Sequence, residues 1–280
     1  DTAAMTITGN YIGTDASGSF AISNDYGVIL DSTSGNTIGG VGAGERNVIS
    51  GNGVMGIAAH LSTGTTIAGN LIGTDATGTS QVGNGYGIFL TGPGSSSHSN
   101  LIERNVISGN RIYGLDVRSG AHDNWIRGNL FGSDLTGSLP VPTLGNNGVN
   151  IVFQDGAHSN TLGGTAPGDG NIIVASPVAG IFLLDTGVTH NTIHGNWIGT
   201  NPSMSLGLGN KAGIRLQASN ALVGGTAAAA GNVIVGNHVG LQVVVGSGNA
   251  FISNSIFGNE YRGIVLDPGT NGSIPFPVIT

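Results

Sequence analysis

The stretch NLIERNVISGNRIYGLDV, from Asn100 to Val117, contains each of the phrases that recur along this 280-residue chain. It runs N-x-I, then N-x-I-x-G-N, then a glycine followed by alternating apolar residues. Apolar residues at every second position, punctuated by glycine and asparagine, indicate short β-strands rather than amphipathic helices. The stretch therefore predicts one turn of a coil that is built from three short strands.

The glycine that opens the third phrase recurs along the whole chain, which is the mark of a repeat architecture. The shortest interval, Gly240 to Gly263, gives the bare unit, and longer coils carry insertions at only two places. Short strands in the same order in every unit predict an all-β fold, a parallel β-helix of about nine coils with three strands per coil. The recurring glycines are Gly27, Gly56, Gly87, Gly114, Gly148, Gly180, Gly213, Gly240 and Gly263.

The repeats predict a single β-helix domain over residues 1–267, followed by a proline-rich segment at 268–280. Pro268, Pro275 and Pro277 cannot donate to a strand ladder, so we expect this segment to cap the open end. The first coil starts inside a repeat phrase. We therefore expect its edge to contact a longer parent polypeptide or a second copy of the chain.

An asparagine precedes the second strand in all nine coils. Asparagine tolerates the left-handed backbone of a bend, and copies stacked about 4.8 Å apart can bond one another along the solenoid. We expect a structural ladder rather than a chemical site. Its members are Asn10, Asn47, Asn70, Asn105, Asn129, Asn171, Asn196, Asn232 and Asn254.

The composition excludes several functional classes. Only 8% of the residues are charged, the net charge is −7 and the bases are scattered, which argues against nucleic acid. No apolar run is long enough for a membrane span. The absence of cysteine excludes disulfides and thiolate metal sites, and suits a protein exported from a bacterium.

The alternation in the third phrase predicts which side chains face outward. One predicted outward row brings Phe89, Asp116 and Asn150 onto neighbouring coils, and a second row brings His60 near Arg118. An acid, a base and an aromatic side chain on one face suit a sugar-binding groove, with His60, Phe89 and Asn150 as ligand-binding candidates. The alternative is that Asp116 and Arg118 form an ion pair on a face covered by loops, a second subunit or a ligand.

Two sets of residues were considered as metal ligands. Asp15, Asp75 and Asp134 each supply one acid to a D-x-S/T-G turn, whereas calcium prefers several carboxylates together. We expect these acids, and Asn201 in the fourth copy, to accept hydrogen bonds within their own turns. His98, His122, His158 and His190 each precede an N-x-I/L strand, but no carboxylate accompanies them at constant spacing. We therefore predict neither a metal site nor a cofactor.

The phrases GN-x-IGTD-x-x-G, N-x-IGG and N-x-ISGN-x-x-x-GI, ending in FPVIT, resemble the right-handed parallel β-helix repeats of large bacterial surface and secreted proteins. The resemblance implies a right-handed solenoid of the pectate-lyase-like superfold. It also implies structural, adhesive or carbohydrate-contacting roles. YGLDVR, from Tyr113 to Arg118, resembles the Y-G-F-D-P-H phrase of mannuronan epimerases. By that resemblance Tyr113 and Asp116 match catalytic positions, while Arg118 replaces a histidine.

These observations predict a secreted or surface-exposed bacterial module that is structural or binds a polysaccharide. The alternative is a polysaccharide lyase or epimerase that uses Asp116, Arg118 and Tyr113 on an acidic glycan. Such an enzyme must neutralise a uronate and remove a proton from it. Eight Lys and Arg residues in the whole chain are a poor supply for that task.

Overall fold

The computed structural model describes residues 4–270 apart from residues 93, 95, 96, 139–144 and 206. Twenty-seven strands form three parallel sheets of nine strands each, and each coil contributes one strand to each sheet. The predicted right-handed parallel β-helix of about nine coils is confirmed. The predicted capping segment lies outside the described residues beyond position 270.

Strands are numbered in chain order, so every third strand belongs to the same sheet. The first sheet contains β1 (Thr6–Ile7), β4 (Thr37–Gly39), β7 (Thr66–Ala68), β10 (Leu101–Glu103), β13 (Trp125–Arg127), β16 (Thr161–Gly163), β19 (Thr192–His194), β22 (Leu222–Gly224) and β25 (Ala250–Ile252). The second contains β2 (Tyr11–Ile12), β5 (Val48–Ile49), β8 (Leu71–Ile72), β11 (Val106–Ile107), β14 (Leu130–Phe131), β17 (Ile172–Ile173), β20 (Trp197–Ile198), β23 (Val233–Val235) and β26 (Ser255–Phe257). The third contains β3 (Tyr26–Asp31), β6 (Met55–His60), β9 (Tyr86–Thr91), β12 (Leu115–Arg118), β15 (Ile151–Phe153), β18 (Ile181–Leu183), β21 (Ala212–Leu216), β24 (Val239–Val243) and β27 (Arg262–Leu266).

The core runs along the axis of the solenoid and is made of stacked aliphatic side chains. Each strand turns one apolar side chain inward, and the in-register pairing places like residues on top of one another. The second sheet shows this most clearly. Its buried column is Ile49, Ile72, Ile107, Phe131, Ile173, Ile198 and Ile234.

The predicted asparagine ladder is continuous through all nine coils. The backbone N–H and side-chain Nδ2 of each asparagine donate to Oδ1 of the next, as from Asn105 to Asn129 at 3.0 Å for both bonds. The expected left-handed backbone belongs instead to the preceding residue in several coils, including Gly69 and Arg104. The asparagine itself is therefore kept in ordinary geometry, and its side chain does the bonding. The remaining steps are Asn10 to Asn47, Asn47 to Asn70, Asn70 to Asn105, Asn129 to Asn171, Asn171 to Asn196, Asn196 to Asn232 and Asn232 to Asn254.

Two further asparagine ladders line the other corners, and the sequence analysis did not identify them. One precedes the first sheet and includes the buried steps Asn100 to Asn124 and Asn124 to Asn160. The other precedes the third sheet and includes Asn84 to Asn110. Buried amide groups need hydrogen-bond partners, and stacking the asparagines lets the side chain of one coil bond the side chain of the next.

The first set of inserted loops also stacks along the solenoid. The Asp75 carboxylate accepts hydrogen bonds from the backbone N–H groups of Thr79 and Ser80, at 2.9 and 3.0 Å. Consecutive loops are joined by a backbone bond from Ala76 N–H to the Gly18 carbonyl at 3.0 Å. The prediction that these aspartates stabilise their own turns is confirmed. Asp15, Asp134 and Asn201 make the corresponding contacts.

Candidate functional site

The outer face of the third sheet carries the predicted site residues. Strand pairing places Asp116 level with Phe89 on one side and with Val152 on the other. Arg118 is level with Thr91, and His60 lies one coil further along the same row. The row through Asp116 is Ile29, Ala58, Phe89, Asp116, Val152, Phe182, Arg215, Gln242 and Val265.

The prediction that Asn150 belongs to this outward row is wrong. The pairing of Leu115 with Ile151 shifts the fifth coil by two residues, so Asn150 occupies the position that glycine holds in the neighbouring coils. Its side chain is buried. The amide accepts from Asn146 Nδ2 at 2.8 Å and donates to the Val174 carbonyl at 2.7 Å. Asn150 is therefore part of the polar interior and cannot contact a ligand on this face.

Asp116 and Arg118 form a close ion pair. The Arg118 guanidinium donates through NH2 to Asp116 Oδ2 at 2.7 Å and through Nε to Oδ1 at 3.3 Å. Gln154 adds a hydrogen bond from Nε2 to Oδ1 at 2.8 Å. Both carboxylate oxygens thus accept hydrogen bonds, from Arg118 on the same strand and from Gln154 on the next coil.

Asp116 is completely buried, whereas the Arg118 side chain is 27% exposed. Burial raises the pKa of the Asp116 carboxyl, because a charge is costly away from water. The hydrogen bonds from Arg118 and Gln154 oppose that rise. The carboxylate is consequently held by its partners and presents no surface to a molecule in solvent.

Aromatic side chains continue this face on the coils before Asp116. Tyr86 contacts Phe89 and Tyr113 edge to face, in each case with 5.7 Å between ring centroids. His60 stacks on the other side of Phe89 at 6.3 Å. Arg118 lies over the Phe89 ring at 5.0 Å, a cation–π contact that joins the aromatic cluster to the ion pair.

Tyr113 lies close to the Asp116 charge but is itself constrained. Its pKa is raised by burial first and by the negative charge of Asp116 second. A raised pKa keeps the phenol protonated, so the group acts as a hydrogen-bond donor or acceptor rather than as a base. The structure thus brings Tyr113, Asp116 and Arg118 together, with the central carboxylate enclosed.

Sequence reasoning missed two neighbours of this site. Gln154 follows Phe153, the residue paired with Val117, and therefore lies level with Arg118 in the second outward row, because of the same two-residue shift. Arg215 lies over the Phe182 ring at 5.0 Å, and its Nε is buried without a hydrogen-bond partner. The spacing of arginine after phenylalanine on successive coils was a usable signal for Arg215.

The histidines do not converge on a point. His98, His122 and His158 are in register, with ring centroids 5.0 and 4.9 Å apart, whereas Thr189 rather than His190 occupies the fourth position. The rings are nearly parallel, and nitrogen lone pairs lie in the ring plane, so these rings do not direct their lone pairs at one ion. Among the described residues, no group of three or more His, Cys, Asp or Glu could hold a metal ion.

This architecture defines the chain as a right-handed parallel β-helix repeat protein with three strands per coil. A family described as periplasmic copper-binding protein (NosD) matches residues 4–140. The parallel histidine rings do not fit a copper ion, because they do not direct their lone pairs at one point.

The alginate lyase from Paenibacillus sp. str. FPU-7 is 14% identical in sequence, with a TM-score of 0.32 and coverage of 87% of this chain and 88% of the lyase chain. The curated proteins gave no match. Within the described residues, no helix has the length and hydrophobicity that a membrane crossing requires.

Proposed function

We propose that this protein is an exported, non-catalytic β-helix module that serves as a rigid structural element and binds carbohydrate on the outer face of its third sheet. The observation that carries the proposal is the burial of Asp116. A general base must come within hydrogen-bond reach of the proton it removes. The Asp116 carboxylate is enclosed, and Arg118 and Gln154 occupy both its oxygens.

The aromatic cluster supports carbohydrate binding. Tyr86, Phe89 and Tyr113 are partly buried and held against one another, so their rings are rigid. Ligand sites are lined mainly by aromatic and apolar side chains with a few polar groups that fix orientation. Here Arg118 and the exposed His60 supply those polar groups beside Phe89.

Export is supported by composition and by the family match. The chain contains no cysteine and few charges, and its polar surface consists largely of Asn, Ser and Thr. The family that matches residues 4–140 is described as periplasmic. A secreted or cell-surface location in a bacterium is the proposal that fits these features.

The test combines a glycan array with an ultraviolet assay for unsaturated products on uronate polymers, with and without calcium. We expect binding without turnover, and we expect Phe89→Ala to abolish the binding that takes place on the third sheet. Phe257→Ala is the matched control, because that ring is exposed on the second sheet. Absence of binding to any glycan, or equal loss in both variants, would contradict the carbohydrate role.

The alternative function is a polysaccharide lyase or epimerase, which the proximity of Tyr113, Asp116 and Arg118 favours. The same assay detects a lyase, because β-elimination leaves an unsaturated product. Rising absorbance that is lost in Asp116→Ala would establish the enzyme and refute the non-catalytic role.

A further inference from the structure

A column of small residues precedes the asparagine ladder, and two arginines interrupt it. The ladder bonds from Asn47 to Asn70 and from Asn70 to Asn105 show that these coils are consecutive. Arg46, Gly69 and Arg104 therefore follow one another along the solenoid. The whole column is Gly9, Arg46, Gly69, Arg104, Gly128, Gly170, Gly195, Gly231 and Ser253.

Gly69, between the two arginines, lets the backbone of the 40–44 loop approach closely. A Cβ atom at this position would lie within 2.1 Å of the Gly40 carbonyl oxygen, and the residue has a φ of +68°. Only glycine fits both constraints. Since adjacent coils are about 4.8 Å apart, the backbones of Arg46 and Arg104 are separated by roughly 10 Å.

Both arginines line a cavity of about 590 Å³ at the corner between the first and second sheets. The 40–44 loop forms the opposite wall, together with Gly69. This loop is short and glycine-rich, so its backbone lies close to the cavity. The site is separate from the outer face of the third sheet.

The two arginines of this cavity have no ion-pair partner among the described residues. Arg46 donates from Nε to the Gly69 carbonyl at 3.0 Å. Glu45, the nearest acid in sequence, accepts from Gly42 N–H at 2.8 Å inside its own loop. Glu103 accepts instead from Arg127 at 2.9 Å.

We propose that this cavity binds an oxyanion, a carboxylate or sulfate group of an acidic polysaccharide, between the guanidinium groups of Arg46 and Arg104. A guanidinium presents a planar set of donors that matches the geometry of an oxyanion. The chain has only eight Lys and Arg residues and a net charge of −7. Two of these few basic residues lie in one cavity of a negatively charged chain, and their charge is complementary to that of an oxyanion.

The experiment is calorimetric titration of the 280-residue chain with three oligosaccharides. They are an oligogalacturonate, its fully methyl-esterified form, and a sulfated galactan oligomer. We expect one or both acidic oligomers to bind and the neutral ester not to bind. The two acidic arms show whether carboxylate or sulfate is the group recognised. Binding should weaken at high salt, because exposed charges are screened.

Variants then assign the binding to this cavity. We expect Arg46→Gln and Arg104→Gln each to weaken binding at least about tenfold, because hydrogen bonds between charged groups contribute on that order. Arg262→Gln is the control, since Arg262 lies in the last strand, outside this cavity, with its guanidinium 4.9 Å from the centre of the Tyr261 ring. Among the described residues, the Arg104 side chain forms no hydrogen bond that its replacement would remove, so we expect Arg104→Gln to test the proposal with the fold intact.

Three results would overturn the inference: no binding of either acidic oligomer, equal binding of the methyl ester, or affinity unchanged in Arg104→Gln. Failure of this inference can be told apart from failure of the proposed function by the effect of Phe89→Ala. Phe89→Ala should leave the arginine cavity intact, whereas binding that responds to Phe89→Ala alone belongs to the third sheet.

Discussion

Two arginines on the outer face of the third sheet make the same aromatic contact, but only one of them is paired with a carboxylate. Arg118 and Arg215 both lie 5.0 Å above a phenylalanine ring. Arg118 neutralises a buried carboxylate, whereas Arg215 has a buried Nε without an acceptor. A lone buried donor is costly, while a buried charge that loses its partner is more costly still.

This contrast predicts different results for one substitution. Arg118→Met should lower the free energy of unfolding by about 3 kcal/mol, because Asp116 would remain buried and unpaired. Arg215→Met should change it by less than about 1 kcal/mol, or increase it, because an unsatisfied donor is removed. Urea unfolding of the two variants measures both values. Equal losses would show that the phenylalanine contact, rather than the charge, decides stability.

At the scale of single elements, the Asn150 side chain takes the place of an asparagine that is missing from the ladder before the third sheet. That ladder runs from Asn110 to Asn146, but the next coil has Ser176 in place of asparagine. The Asn150 side chain bonds Asn146 and the Val174 carbonyl in its stead. The glycine position of the fifth coil is therefore used to supply the missing amide.

Asn150→Gly should destabilise the protein by about 1–3 kcal/mol, because it leaves the buried Asn146 amide and the Val174 carbonyl without their partner. Adding Ser176→Asn should recover part of that loss, since an asparagine at 176 restores the usual rung. A double-mutant cycle from urea unfolding measures the coupling. Strictly additive losses would mean that the two positions do not substitute for each other.

Asn150 also marks the point at which the sequence no longer predicts the register of this fold. The ladder from Asn10 to Asn254 was predictable because its spacing phrase never changes. The register of the fifth coil was not, because GVN at Gly148 has the same pattern as the opening of the third strand in other coils. Nor could spacing show that Asp116 is enclosed, because burial depends on residues from neighbouring coils, such as Gln154.

The aspartates of the stacked loops make the stability of the fold depend on pH. Burial alone would raise the pKa of Asp75, but hydrogen bonds from Thr77, Ser80 and Thr79 outweigh it and lower the pKa below its usual range. The folded state then binds fewer protons than the unfolded state, whose aspartates titrate near about pH 3.9. The stability from Asp75 is therefore complete above that pH and is lost as the pH falls through the lowered value.

We expect Asp75→Asn to reduce the loss of stability between about pH 5 and about pH 3. Asn201 shows that an amide oxygen can accept the turn's backbone bonds without titrating, since it receives Ser203 and Ser205 N–H at 3.1 Å each. Urea unfolding at the two pH values checks this. An unchanged pH dependence would place the acid sensitivity in other carboxylates, such as Asp15, whose pKa is lowered to about 2 chiefly by its hydrogen bond from Ser17.

At the scale of the whole molecule, stability comes from nearest-neighbour contacts between coils. Each strand bonds only the strands of the coils before and after it, as in other solenoids. The middle coils are packed on both sides, whereas the first and last coils each have one neighbouring coil within the described part of the chain. Core residues at the two ends, including Ile7, Ile12, Phe251 and Ile256, are only partly buried.

Amide hydrogen exchange should therefore be slowest in the middle coils and rise toward both ends. Opening an end coil breaks one interface between coils, whereas opening a middle coil breaks two. Exchange measured by mass spectrometry on peptides around β11, β14 and β17 should show more protection than on peptides around β2 and β26. Asn105→Ala should raise exchange most in the coils that contain Asn70 and Asn129, because it removes the bonds to both. Uniform exchange along the chain would show that the solenoid opens as one cooperative unit, not from its ends.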